Sequence, residues 1–320
     1  MRTLVGRSTA LRRVVAQAEL YAREVLPTSD PEPVLLLGPT GVGKELLARR
    51  MHAVSGRPGA FVPVSGGELV EGVFPTQLFG HVDGAYTGAG RGAPGAFEHA
   101  DRGTLLLDEL QLWPAAPQAA VLRAVGERDV QRLRGQRRMA ATCALLFASS
   151  VPLDRLVGEG RLLLDLRHRI GYFVVEIPPL IERKVDILAL ANHFLEQRLA
   201  ARPDQIARQF DAEATERLLT YRWPGNVREV ERVVAYAVVH AIGSHRIGLE
   251  HLPAPVRQAA VESIDAASRA EIAQWMLEWQ GSRRKAAALL GIHPHTLDYR
   301  LRKSGNPTAV TKRPYGKSTT

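Results

Sequence analysis

The residues best placed to do chemistry are Gly38 to Glu45, GPTGVGKE, directly after the apolar run Val34 to Leu37. Gly38, Gly41 and Gly43 let the backbone turn successive N–H groups toward one point, and an anion fits that point. Pro39, Thr40 and Val42 complete the turn. Lys44 would bring its ammonium to the β- and γ-phosphates of a bound nucleotide, with the N-terminal end of the following helix aimed the same way. Glu45 stands where a Ser or Thr hydroxyl usually meets Mg2+, so carboxylates or waters elsewhere must hold the metal. A second stretch, Thr104 to Leu107, is an apolar run that ends in Asp108-Glu109. There Asp108 would organise Mg2+ through its water shell, and Glu109 would orient or deprotonate an attacking water. The competing readings are a tight turn and a solvated acidic pair. Both lose ground because the stretches occur together and Gly38 and Gly43-Lys44 keep the phosphate-loop spacing.

The charge points to a second kind of partner. Of a formal +9, residues 281–320 hold nine Lys/Arg and one Asp, about +8. A polyanion suits that end, against the alternative of a solvated basic tail. Within it, Ser282 to Arg302 splits at Gly291 into two short helical patterns, a helix-turn-helix arrangement. Ala287, Leu290, Ile292 and Leu297 would form its shared core. Arg283, Arg284, Lys285, His295, Thr296, Arg300, Arg302 and Lys303 are then the candidate contacts to double-stranded DNA, unless the segment is a generic helical hairpin. Ser304 to Thr320 has no apolar period and is expected to be disordered.

The elements that must position these residues follow from apolar patterning. A chain of 320 residues, 45% hydrophobic and 23% charged, can bury one large core and smaller ones. Leu4 to Glu24 has helical spacing after a turn at Gly6, and no N-terminal sensor domain is expected ahead of it. Regulation is therefore expected from a separate protein or from the nucleotide cycle. Glu45 to Val54 reads as a helix, Phe61 to Val64 as a buried strand, and Leu69 to Phe79 as a helix. The glycine-rich stretch after Phe79 reads as a mobile loop. Pro117 to Glu127 reads as a helix, Gln131 to Arg138 as a charged hairpin and Cys143 to Ala148 as another strand. Alternating strands and helices give a parallel sheet covered on both faces. Beyond Pro178-Pro179, Val185 to Leu199, Ala212 to Tyr221 and Val227 to Ala241 read as the helices of a lid. His251 to Ser263 has linker character, and Ala266 to Trp279 reads as a helix. The expected boundaries are 1–178 for the α/β unit, 179–248 for the lid, 249–265 for the linker, 266–303 for the DNA-binding domain and 304–320 for the tail. The single cysteine, Cys143, permits no internal disulfide. With no signal peptide and no apolar run of spanning length, a cytoplasmic location without membrane contact is expected.

These motifs together resemble bacterial enhancer-binding proteins, the AAA+ activators of sigma-54 RNA polymerase, over about Leu4 to Lys303. GPTGVGKE resembles the family's phosphate loop, glutamate included, and GTLLLDEL (Gly103 to Leu110) its Walker B segment. LFGHVDGAYTGA resembles its signature loop, in which Gly84, Ala85, Tyr86, Thr87, Gly88 and Ala89 are implied to touch the sigma factor. WPGNVRE (Trp223 to Glu229) resembles its second sensor, which implies that Arg228 contacts the nucleotide, and the C-terminal segment resembles its Fis-like DNA-binding end. The resemblance implies an α/β AAA+ P-loop sandwich, a helical lid subdomain and a C-terminal all-α helix-turn-helix domain. It also implies ATP and Mg2+ at the interfaces of a homo-oligomer, expected to be a hexamer, that binds an upstream activator sequence and remodels sigma-54 RNA polymerase by hydrolysing ATP. Several positions depart from the family. Ser65 replaces an asparagine thought to restrain the catalytic glutamate. Ser149-Ser150 replaces the Thr-Asn of the first sensor. Leu163 replaces the first of two arginines expected to reach a neighbour's nucleotide, whereas Arg169 keeps the second. These departures favour an alternative, a DNA-binding regulator that binds nucleotide but hydrolyses it weakly.

Overall fold

The structure is a computed structural model and describes residues 4–68, 74–84, 92–201, 205–207, 209–259 and 272. Among these, the chain divides into two units: Leu4 with Thr9–Pro179, and Val5–Ser8 with the residues from Leu180 onward.

The strands are β1 (Val34–Leu37), β2 (Phe61–Ser65), β3 (Thr104–Asp108), β4 (Asp129–Gln131), β5 (Arg138–Ala140), β6 (Ala144–Ser149) and β7 (Phe173–Glu176), all in the first unit. β4 and β5 form an antiparallel hairpin. The others make one parallel sheet in the order β2-β3-β6-β1-β7. Around it lie α1 (Thr9–Glu24), α2 (Lys44–Ser55), α3 (Phe74–Phe79), α4 (Ala96–His99), α5 (Ala115–Glu127), α6 (Leu153–Gly158) and α7 (Leu164–Ile170).

Successive side chains of a strand face opposite sides, so Leu105, Leu107, Leu145 and Phe147 enter one core layer and Leu106, Leu146 and Ala148 the other. The first layer is closed by Phe74, Phe97, Val121 and Leu166, and the second by Val14, Ala18, Leu47 and Met51. A strand covered on both faces has no polar face to alternate with, which is why these runs read as unbroken leucine. Each fully buried Leu contributes about 1.5–3 kcal/mol. Cys143, just before β6, is buried in the first core layer, and burial pushes its thiol up to about 11.

The strand β7 was not anticipated. It is a four-residue edge strand in which only Val175 is fully buried, too short for its pattern to show in sequence. The first helix begins at Thr9, after the turn at Gly6, and Val5–Ser8 belongs to the second unit. Of the helix expected over Leu69 to Phe79, Phe74–Phe79 is helical and residues 69–73 lie outside the described set.

The second unit contains α8 (Lys184–Ala200), α9 (Ala212–Thr220), α10 (Asn226–His240) and α11 (Ala254–Arg257). Trp223 is buried at its centre, and its Nε1 donates to Leu218 O at 2.8 Å. Asp211 caps α9 by accepting from Ala214 N at 2.7 Å. Buried Asp186 accepts from Arg7 N (2.5 Å), Ser8 N (2.8 Å) and Ser8 Oγ (2.7 Å), which ties the N-terminal turn into this unit. The stretch read as a linker is structured in part: Leu252 and Val256 enter the core four residues apart, and α11 starts after Pro253. The helix expected at Ala266 to Trp279, the helix-turn-helix and the tail lie outside the described residues, apart from Ile272, which is helical and buried. No helix of the described residues is long and apolar enough to cross a membrane.

Candidate active site

The site is assembled at the carboxyl ends of β1, β3 and β6, which are neighbours in the sheet. β1 ends at Leu37, and Gly38 N donates to Ser149 O at 3.2 Å, so the loop starts bonded to the end of β6. A side chain at Gly38 is excluded twice over: its φ is +156°, and a Cβ would lie 2.5 Å from Ile177 O. Pro39, Thr40, Gly41, Val42 and Gly43 carry the turn to Lys44, the first residue of α2. Lys44 is 9% exposed, and its ammonium donates to Gly38 O at 2.8 Å and Pro39 O at 3.3 Å. Glu45 is paired along the helix with Arg49 at 2.7 Å.

Asp108 closes β3. Burial pushes its carboxyl above the ordinary value, opposed by a hydrogen bond from Glu109 N (2.7 Å) and by the nearby Lys44 charge. Glu109 then adopts a left-handed backbone, φ 55°, and starts a single turn at Leu110–Leu112. That reversal is sparsely populated for residues other than glycine and is held here by the surrounding bonds. Glu109 Oε2 accepts from Ser65 Oγ at 2.5 Å and from Gly67 N at 3.1 Å. A Cβ on Gly67 would come within 2.8 Å of that same oxygen and would push the carboxylate aside.

Ser149 ends β6, and Ser150 follows it. Ser149 Oγ donates to Val151 O (2.6 Å) and accepts from Val151 N (3.1 Å). Ser149 Oγ also lies 3.3 Å from Gln111 Oε1, which accepts from Ser150 N at 3.2 Å. Sequence reasoning missed Gln111, and also Gln118. Buried Gln118 donates to Trp113 O (3.1 Å) and Arg161 O (2.8 Å) and accepts from Leu163 N (2.9 Å). It thus fastens the residues after Glu109 to the start of α7. Neither glutamine belongs to a motif, and the only sequence signal is an amide in an otherwise apolar stretch.

Arg169 lies exposed near the end of α7, its guanidinium against Gly126 of α5. Arg155, Arg161 and Arg167 are ion-paired to Glu159, Glu159 and Asp154, whereas Arg169 has no such partner among the described residues. Leu163 caps the start of α7 with an apolar side chain.

Other expected residues stand elsewhere. Arg228 is exposed in the first turn of α10, in the second unit. Gly84 is exposed with φ 68°, at the end of a stem closed by reciprocal His81–Ala93 backbone bonds of 3.0 Å and an Asp83–Gly92 bond. Ala85, Tyr86, Thr87, Gly88 and Ala89 lie outside the described residues, as do Arg283, Arg284, Lys285, His295, Thr296, Arg300, Arg302 and Lys303.

Comparison with known proteins agrees with this architecture. Residues 4–176 match the Sigma-54 interaction domain, 181–269 the AAA+ ATPase lid domain and 270–308 the PucR C-terminal helix-turn-helix domain, where the sequence suggested a Fis-like end. The C4-dicarboxylate transport transcriptional regulatory protein DctD of Pseudomonas aeruginosa is 37% identical over 311 residues, covering 95% of this chain and 64% of DctD. The transcriptional regulatory protein FlbD of Caulobacter vibrioides is 34% identical over 337 residues, covering 98% of this chain and 72% of FlbD. Among solved structures, NtrX from Brucella abortus in complex with ATP superimposes with a TM-score of 0.70 at 26% identity, covering 96% of this chain and 70% of that one. The chain therefore spans less than two thirds of DctD. With the sheet, the lid and the helix-turn-helix in this order, the chain belongs to the sigma-54 interaction domain family of AAA+ transcription regulators.

Proposed function

We propose that this chain is an ATPase that assembles with copies of itself, binds upstream DNA through its C-terminal segment and remodels sigma-54 RNA polymerase through the loop Gly84 to Ala89. The observation that carries the reading is the convergence of Lys44, Asp108 and Glu109 at one end of the parallel sheet. Lys44 neutralises phosphate charge. Glu109, once released from Ser65 and Gly67, orients the attacking water and takes its proton. Arg169 of a neighbouring copy and Arg228 supply further positive charge at the phosphates. Asp108 fits a metal held through water: its carboxylate is desolvated, faces Lys44 and lacks the adjacent hydroxyl that Glu45 replaces. When bound there, Mg2+ would supply charge neutralisation to the phosphates. The expected location is the cytoplasm.

A second reading, a regulator that binds nucleotide but turns it over poorly, is favoured by the apolar Leu163 at the start of α7. Steady-state ATPase measured against protein concentration separates the two. In the same assay Thr87→Ala is expected to keep turnover and lose capture of sigma-54 polymerase in a transition-state-analogue trap, while Lys44→Ala loses ATP binding. Retained capture by Thr87→Ala contradicts the loop assignment.

A further inference from the structure

Gln111 stands two residues beyond Glu109, in the turn Leu110–Leu112 that leaves β3. Its carboxamide has only one workable orientation. The atom facing Ser150 N at 3.2 Å must be the oxygen, because a backbone N–H can only donate, and the reverse placement would set donor against donor. Nε2 is thereby turned away from Ser150, and its donors have no acceptor among the described residues. The main chain of Gln111 is fixed as well, since its carbonyl accepts from the Arg161 guanidinium.

The neighbours define where those donors stand. Ser149, which lies against the Gln111 carboxamide, accepts through its carbonyl from Gly38 N, the first N–H of the phosphate loop. On the other side, Glu109 is the residue that starts the turn carrying Gln111. The half-buried amide is therefore held between the phosphate loop and the carboxylate assigned to the water. Those donors are open to an anionic oxygen beside them, and a charge-assisted bond to it is stronger than a neutral one. Ser149 does not replace it, because its hydroxyl already donates to Val151 O at 2.6 Å.

We propose that Gln111 is a positioning residue of the hydrolytic reaction, whose Nε2 donors hold the γ-phosphate of ATP in line with the attacking water. This rests on the ATPase reading above. The bond from its carbonyl oxygen to Ser150 N sets the amide in place, and the Arg161 contact links it to the segment that leads into α7. The residue then reports on the γ-phosphate in a chain whose own sensor residues are two short hydroxyls.

The test compares Gln111→Met and Gln111→Glu with the parent in the full chain, measuring kcat and KM for ATP, the Kd of a fluorescent ATP analogue and the melting temperature. Methionine keeps the length and removes both polar atoms. Glutamate keeps the acceptor for Ser150 N but replaces the donors with negative charge. Both variants are expected to lose about 10²-fold in kcat, as when one preorganised donor is removed from other hydrolytic sites. KM and analogue Kd should stay within about twofold, since a donor that positions the reacting group acts on the transition state more than on ground-state binding. Parental kcat in Gln111→Glu would overturn the proposal and leave Gln111 as a strut. Loss of analogue binding in step with kcat would overturn it too. If Gln111→Met fails to fold, Gln111→Glu decides. A parent that binds ATP through Lys44 but never turns it over overturns the ATPase reading and this one with it, whereas parental turnover in both variants overturns this one alone.

Discussion

Ser65 Oγ lies 2.5 Å from Glu109 Oε2, a bond from the last residue of one strand to the first residue beyond its neighbour. With Gly67 N it holds the carboxylate that is proposed to meet the water. Removing one such bond changes a free energy by about 1 kcal/mol, roughly fivefold in rate. Ser65→Ala is expected to raise basal ATPase by about that factor, measured without polymerase. An unchanged basal rate would mean that Gly67 N alone holds the carboxylate.

Asp108 should couple stability to pH. Burial raises its carboxyl above the ordinary value, so the folded chain binds that proton more tightly than the unfolded chain. Stability contributed by the neutral form is lost as pH rises from the ordinary carboxylate range through the raised value, and the deficit persists at neutral pH. Asp108→Asn is expected to abolish turnover yet raise the nucleotide-free Tm at pH 7 by roughly 2–4 °C, the shift that about 1 kcal/mol produces in a domain of 150–250 residues. The gap should narrow at pH 4. Calorimetry at the two pH values checks this, and a Tm at pH 7 at or below the parent's contradicts it.

Arg169 is the arginine of its segment without an ion pair among the described residues, and so the one whose charge is available to a neighbouring copy. Arg169→Ala is expected to lower turnover by about 10³-fold or more while ATP affinity holds, within the range for arginine fingers in other nucleotide hydrolases. Mixed with Lys44→Ala, it should recover activity at interfaces that pair an intact loop with an intact arginine. Absence of recovery, with Arg169→Ala as active as the parent, removes the role in trans.

Deleting Gly281 to Thr320 removes nearly all of the excess positive charge. The truncated chain should lose site-specific footprinting on DNA and keep its ATPase, because phosphate contacts and the groove-reading helix leave together. Retained footprinting would place recognition elsewhere, whereas loss of only the salt-dependent part would reduce the segment to a basic tail.

Much of the sheet was readable in the sequence because its chemistry is local. GPTGVGKE keeps its spacing whatever surrounds it, and the leucine runs of β3 and β6 announce strands buried on both faces. The paired carboxylates are likewise neighbours in sequence. What stayed hidden was made by distant partners. Nothing in the composition of QLWPAAPQ tells that Gln111 meets Ser150, 39 residues away, or that Gln118 meets Leu163, 45 residues away. β7 was missed for a related reason: an edge strand with one buried valine has too little pattern of its own.

The turn Val5–Ser8 belongs to the second unit although Leu4 and Thr9 on either side belong to the first. The polypeptide thus crosses between units before Val5, after Ser8 and again at Pro179–Leu180. The turn itself is clasped by Asp186, which accepts from Arg7 N, Ser8 N and Ser8 Oγ. A cut at Ser8 would sever the chain at one of these crossings and release the bonds to Asp186, which makes Ser8 a poor place to cut or splice.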